Sequence, residues 1–151
     1  MMSRIMMKIN GSGTRLWYKE GKFHFHREDG PAVEYANGDK YWYKEGNLHR
    51  EDGPAYEGAN GEKQWYKEGK CHREDGPAYE GANGAKLWYK EGRLHREGGP
   101  AVELADGRKE YWKNGRTWTD EELCKMGLFR GSCKRCSKIF ISKIGYNNDT
   151  R

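Results

Sequence analysis

His26, His49, His72 and His95 stand 23 residues apart, and so do Pro31, Pro54, Pro77 and Pro100, and Gly38, Gly61, Gly84 and Gly107. A strict period of this length constrains the fold more than anything else in the chain. Each unit is one supersecondary element too small to bury its own apolar face, so it has to stack on its neighbours. The spacing breaks once: Trp17 and Trp42 are 25 residues apart, because Phe23-His24-Phe25 is longer than the Leu48 or Cys71 of later copies. The extra residues follow Gly21, which predicts a local bulge.

Each unit carries two turn signals. Asn37-Gly38, with Asn60-Gly61, Asn83-Gly84 and Asp106-Gly107, has the composition of a two-residue type I′ hairpin, which needs positive φ at both central positions. The second signal is Glu45-Gly46 with Glu20-Gly21, Glu68-Gly69, Glu91-Gly92 and Asn114-Gly115. With a two-residue turn at Asn37-Gly38, Val33 faces Trp42 and Tyr35 faces Lys40. Val33, Tyr35 and Trp42 then share the buried face, and Tyr41 and Tyr43 lie on the other. In the last copy Tyr111-Trp112 reverses the Trp-Tyr order. Residues 1–13, with Gly13 four positions before Trp17, read as a half repeat that caps the array 14–118.

At the far end Trp118 stands where the histidine column would continue, and Thr119-Asp120-Glu121-Glu122 is a capping box for a short helix over 119–127. Gly127 suits its C′ position, and such a helix would cap the exposed end of the array. The segment 128–151 is basic and without repeat character, either strand, amphipathic stretch or disordered tail.

The 34% hydrophobic fraction is low for a globular core, yet 6 Trp and 10 Tyr argue against disorder. Aromatic rings with Lys and Arg stems suit a thin single sheet. Between Thr14 and Thr119 there are 19 Lys and Arg against 19 Asp and Glu, so the net charge of +5 comes from the two ends. A nucleic-acid groove needs a basic stripe, which the repeats do not offer by net charge; nucleic acid is therefore not expected as a partner. The start of the chain has no apolar run of signal-peptide length, so the expectation is a cytoplasmic, non-secreted protein.

The string Trp-Tyr-Lys-Glu-Gly-x-Leu-His-Arg-Glu-Asp-Gly-Pro-Ala, followed by Ala-Asn-Gly, resembles the variant MORN repeat, a family of 23-residue β-hairpin units frequent in giant viruses of amoebae and in some bacteria. The resemblance covers residues 16–116. It implies an all-β, elongated, single-layer antiparallel array of stacked hairpins serving as an interaction scaffold, in host cytoplasm if the protein is viral, with membrane association proposed for some relatives. The chain departs from its own pattern at Gly98, where other units have Asp29, Asp52 and Asp75. It departs again at Gly58 and Gly81, where flanking units have Tyr35 and Leu104.

His-Arg-Glu-Asp holds a base, a cation and two carboxylates. Two strands per unit at ~4.8 Å would place equivalent histidines about 10 Å apart, whereas two ligands of one zinc each lie within ~2.1 Å of it. A motif copied in every unit is expected to serve folding, with Arg and the carboxylates paired across repeats. Cys133-Lys134-Arg135-Cys136 with Cys124 is the remaining candidate for a metal. Zinc needs four ligands and no histidine follows His95, so these are read as free thiols and no cofactor is expected. The aromatic columns could also form a carbohydrate platform, but they are needed as core.

The expected function is a non-enzymatic scaffold for a protein partner or for a homodimer. Specificity would lie where the copies differ: Asn47, Lys70 and Arg93 after the second turn, Tyr41, Gln64, Leu87 and Glu110 on the strand, and Trp112 and Trp118 at the end. The alternative is an anionic membrane bound by a basic face and the tail.

Overall fold

The computed structural model describes residues 4–22 and 24–128. Phe23, Cys133, Cys136 and nearly all of the basic segment 128–151 lie outside them. The chain divides into two compact units, Met1–Arg116 and Thr117–Arg151.

In the first unit an antiparallel sheet of ten strands runs in hairpin order from Ile5–Ile9 and Arg15–Lys19 to Lys109–Glu110. Inside the array the strands are two residues long, for example Val33–Glu34, Lys40–Tyr41, Tyr56–Glu57 and Lys63–Gln64. The fold class read from the 23-residue period is thus the observed one: all-β, antiparallel, hairpin after hairpin. No large side chain is fully buried among the described residues; the core consists of Ala32, Ala55, Ala78, Ala85 and Ala101 with Val33 and Val102. Tryptophans are only half-buried, contrary to the expectation of a buried tryptophan face.

The register also differs from expectation. Val33 pairs with Tyr41 and Glu34 with Lys40. The Gly38 N–H donates to the Tyr35 carbonyl at 3.0 Å and the Tyr35 N–H to the Asp39 carbonyl at 2.9 Å, enclosing Ala36, Asn37 and Gly38. Only Gly38 has positive φ, 99°. This is a three-residue loop, a type I turn closed by a glycine bulge, and it moves the pairing by one residue. A slip of one exchanges the faces of the second strand relative to the first.

Two rows result. Leu16, Val33, Tyr41, Tyr56, Gln64, Tyr79, Leu87, Val102 and Glu110 oppose one another on one face. Their sequence neighbours, Arg15, Glu34, Lys40, Glu57, Lys63, Glu80, Lys86, Glu103 and Lys109, alternate in sign along the other. Opposite charges directly across a ladder favour this register over any slip.

The second turn signal makes the type I′ hairpin. Tyr43 pairs with Leu48 and Lys44 with Asn47 across two residues, and both are left-handed, Glu45 at φ 48° and Gly46 at 82°. Glu68, Glu91 and Asn114 repeat it. In the first unit the insertion lengthens this turn, and Tyr18 bridges Phe25 where later units pair Tyr with Leu48 or Cys71.

The helix of the second unit spans Asp120–Lys125. The Glu122 N–H donates to the Thr119 hydroxyl at 3.3 Å and the Thr119 N–H to the Glu122 carboxylate at 2.9 Å, the expected capping box. Gly127, at φ 70°, is the C′ residue, and the Leu128 N–H reaches the Leu123 carbonyl at 2.9 Å.

Candidate interaction surface

The residues of the repeated motif spend their polar atoms on one another. His49 accepts the N–H of Glu68 at Nδ1, 3.1 Å away. His26, His72 and His95 do the same for Glu45, Glu91 and Asn114, at 3.0, 3.1 and 3.2 Å. On either side, Gly69 N–H donates to the Leu48 carbonyl and Arg50 N–H to the Tyr66 carbonyl. Each histidine thus holds the left-handed turn of the following unit. An acceptor at Nδ1 puts the proton on Nε2, which faces Glu51 in His49 at 3.4 Å. At His26 and His72, Nδ1 also lies 3.2 and 3.0 Å from the carboxylate of the same Glu45 or Glu91.

The arginines work inside their own unit, where cross-repeat ion pairs were expected. Arg50 Nε donates to Asp52 at 2.9 Å, and one terminal nitrogen donates to the Pro54 carbonyl at 3.2 Å and to Glu57 at 3.0 Å. The guanidinium lies over the Trp42 ring, 4.2 Å from its centroid, and Arg27, Arg73 and Arg96 cover Trp17, Trp65 and Trp88 likewise. A Cβ on Gly53 would sit 3.0 Å from the Arg50 Cζ, so glycine there makes room for the stacked guanidinium. The arginine hydrogen bond holds the carboxyls of Asp29, Asp52 and Asp75 below the usual range. Where Gly98 replaces the aspartate, the Arg96 side chain is 34% exposed, against 22% for Arg50.

Glu45 gathers the most basic side chains: the ammonium groups of Lys19 and Lys22 and the imidazoles of His24 and His26 all lie near its carboxylate. The Lys19 hydrogen bond leads in holding its pKa down at about 2. His24 and His26, read as one local pair, are brought together only through this carboxylate. Among the described residues no group of three or more metal-ligating side chains converges. Cys124 is disulfide-bonded, where a free thiol was expected. Cys71 occupies the Leu48 column, its Sγ 3.7 Å from the Ala78 carbonyl, and burial pushes its thiol up to about 12, so it is an inert packing residue.

Open contact area remains on the tyrosine face. Tyr41 packs against Tyr56 with centroids 4.7 Å apart, against Tyr35 at 5.6 Å and against Tyr43 at 6.4 Å; Phe25 meets Tyr43 at 5.5 Å. Gln64, Tyr66, Cys71, Tyr79, Leu87 and Tyr89 line a recess of about 340 Å³. The Tyr66 hydroxyl donates to Gln64 at 2.9 Å. Burial raises the phenol pKa of Tyr66 and Tyr89, and that of Tyr41 to about 12, so the row stays neutral and able to donate.

Three of the expected variable positions, Tyr41, Gln64 and Leu87, therefore lie together on this face, and Gln64 and Leu87 line the recess. Glu110 continues the row and accepts the Trp112 ring N–H at 2.9 Å. Asn47, Lys70 and Arg93 form a separate, exposed row, each facing the glycine of the next second turn. Trp118, half-buried, belongs to the second unit. The sequence reading missed the tyrosines flanking the variable row, because the assumed register put Tyr41 and Val33 on opposite faces.

Between successive His-Arg-Glu-Asp loops lie grooves of about 870 and 630 Å³, the first lined by Trp42, Lys44 and His49 with Glu28, Asp29, Glu51 and Asp52. Their arginines and aspartates are already paired within the loops. Fold and surface together define a β-hairpin repeat protein with an open aromatic face. No family model, curated protein or solved structure matches the chain.

Proposed function

We propose that this chain is a non-enzymatic repeat scaffold whose tyrosine face receives a protein partner, as its resemblance to the variant MORN repeat also implies. The observation that carries this reading is the coincidence of the variable row Tyr41, Gln64 and Leu87 with the half-exposed aromatic face and its recess. Every unit shares the folding contacts, so a partner is read by what differs between units. Aromatic rings with hydroxyls offer large contact area at low entropic cost.

The test is affinity capture from the native cell with the intact chain and with Leu87→Arg and Gln64→Arg. Loss of the captured partner with an unchanged thermal melt supports the tyrosine face, and capture indifferent to both variants sinks it. An enzyme using His-Arg-Glu-Asp would instead lose an activity on mutation of one histidine alone.

A second reading rests on one observation. Lys67 faces Lys70, and Lys90 faces Arg93, directly across the second hairpins with all four side chains exposed. Such a row could meet an anionic membrane. Flotation with phosphatidylserine vesicles, sensitive to salt and abolished by deleting residues after Gly127, would favour lipid over protein as the partner.

A further inference from the structure

Ile5, Met6, Met7 and Ile9 are 39, 36, 52 and 56% exposed, half of the large exposed hydrophobics among the described residues. They form one strand, Ile5–Ile9, at the edge of the ten-stranded sheet. Its inner side pairs with Arg15–Lys19, Met7 opposite Trp17. At the ends of this ladder the Glu20 N–H donates to the Arg4 carbonyl at 2.8 Å and the Asn10 N–H to the Thr14 carbonyl at 3.1 Å. Residues of even number therefore turn their backbone groups inward. By the alternation of an antiparallel ladder, Ile5, Met7 and Ile9 turn theirs outward, where no described strand meets them.

Edges of this kind are normally protected by shortness, charge, proline or a bulge. The opposite edge strand, Lys109–Glu110, is two residues long and both are charged. Ile5–Ile9 has none of these protections except the single charge of Lys8.

We propose that this edge pairs with the same strand of a second copy, antiparallel about a two-fold axis at Met7. The inference deepens the self-association within the scaffold reading and names its surface. Three antiparallel registers join at least two pairs of outward-facing residues, and charge decides between them. Centred on Lys8, the pairing sets two ammonium groups opposite each other in a close non-hydrogen-bonded position. Centred on Met6, it sets Lys8 against Arg4 of the second copy, twice. Centred on Met7, Lys8 faces Met6 of the second copy and Arg4 faces Asn10, with no like charges opposed. Ile5 then exchanges hydrogen bonds with Ile9 of the second copy, Met7 with Met7 and Ile9 with Ile5, about six backbone bonds in all. Ile5, Met7 and Ile9 of both copies lie on one face of the joined sheet, so the pairing also covers apolar surface.

The experiment is light scattering on the full chain across a concentration series, with Met7→Pro and Met7→Lys. Proline at position 7 removes only an outward N–H and leaves the pairing with Arg15–Lys19 intact. Lysine places two like charges about 5.5 Å apart at Cα across the axis. The expected result is a mass twice the 17.6 kDa of the chain, with dissociation constants raised roughly tenfold or more in both variants. Far-UV circular dichroism and the thermal melt should stay at wild-type values when extrapolated to the monomer. A chain that scatters as a monomer up to about 100 µM, near the weak end of specific association, would overturn the proposal. So would a dimer indifferent to both variants while they remain folded. Either outcome leaves partner capture by the tyrosine face untouched, so the two readings fail separately.

Discussion

The imidazole of His49 accepts the backbone N–H of Glu68 at Nδ1, 3.1 Å away, and so fixes a left-handed residue in the next unit. Removing the acceptor leaves that N–H without its partner in a conformation that a glutamate does not favour by itself. His49→Ala is expected to cost about 1–3 kcal/mol of unfolding free energy, and His49→Asn less, because its amide oxygen can accept the same bond. Urea denaturation of both variants, with the equivalent changes at His72 and His95, measures it. Similar losses at all three positions mark a folding role.

Glu68 at φ 50° pays for its side chain in backbone strain. Asparagine tolerates the left-handed region better and already occupies the equivalent position at Asn114, φ 52°. Glu68→Asn should raise stability by roughly 0.5–1 kcal/mol, the scale of backbone substitutions that match native φ. A lowered melting temperature would show that the Glu68 side chain contributes more than its strain costs.

Arg50 and Gly53 depend on each other. A methyl at position 53 would meet the guanidinium carbon at 3.0 Å and lift it from Trp42, so Gly53→Ala should destabilise by about 1–3 kcal/mol, as overpacking does. In the fourth unit the reverse change is open. A Cβ at Gly98 has nothing within 4 Å, and Gly98→Asp would supply Arg96 with the carboxylate that Arg27, Arg50 and Arg73 have. The expected gain is ~0.4–1 kcal/mol from the lost freedom of glycine in the unfolded chain, with some charge pairing in addition. Thermal melts of the two variants should move in opposite directions.

Glu45 gives the array an acid limit. Its folded pKa, about 2, lies below its ordinary value of 4.5, with the Lys19 hydrogen bond the leading cause. A depressed carboxyl contributes stability that is fully present above the ordinary pKa and lost as pH falls through the folded one. The aspartates held down by Arg27, Arg50 and Arg73 act in the same direction. Stability should therefore fall between about pH 4.5 and pH 2, and Glu45→Gln should flatten that fall while lowering stability at neutral pH. A denaturation series across this range with both proteins decides it.

The two turn types show where local signals mislead. Asn37-Gly38 has the composition of a type I′ turn, yet Asn37 keeps a negative φ and uses its side-chain oxygen to accept the Asp39 N–H at 3.1 Å. Asn60 and Asn83 do likewise for Glu62 and Ala85. That side-chain bond fits a type I turn with the glycine as bulge. Glu45-Gly46 has the poorer composition and takes the type I′ form, because His26 in the preceding unit binds the Glu45 N–H. The exchange moved the register by one residue, and with it the assignment of Tyr41 to a face.

The period of 23 residues, the hairpin order, the neutral array, the departure at Gly98 and the capping box at Thr119 are carried by the sequence itself. Each is a matter of spacing, charge count or contacts within a few residues. Which turn is left-handed, which face Tyr41 shares with Val33, and that Ile5–Ile9 is an open apolar edge are decided only in the folded array. Those outcomes depend on bonds between units, such as His49 to Glu68, that no single unit can form alone.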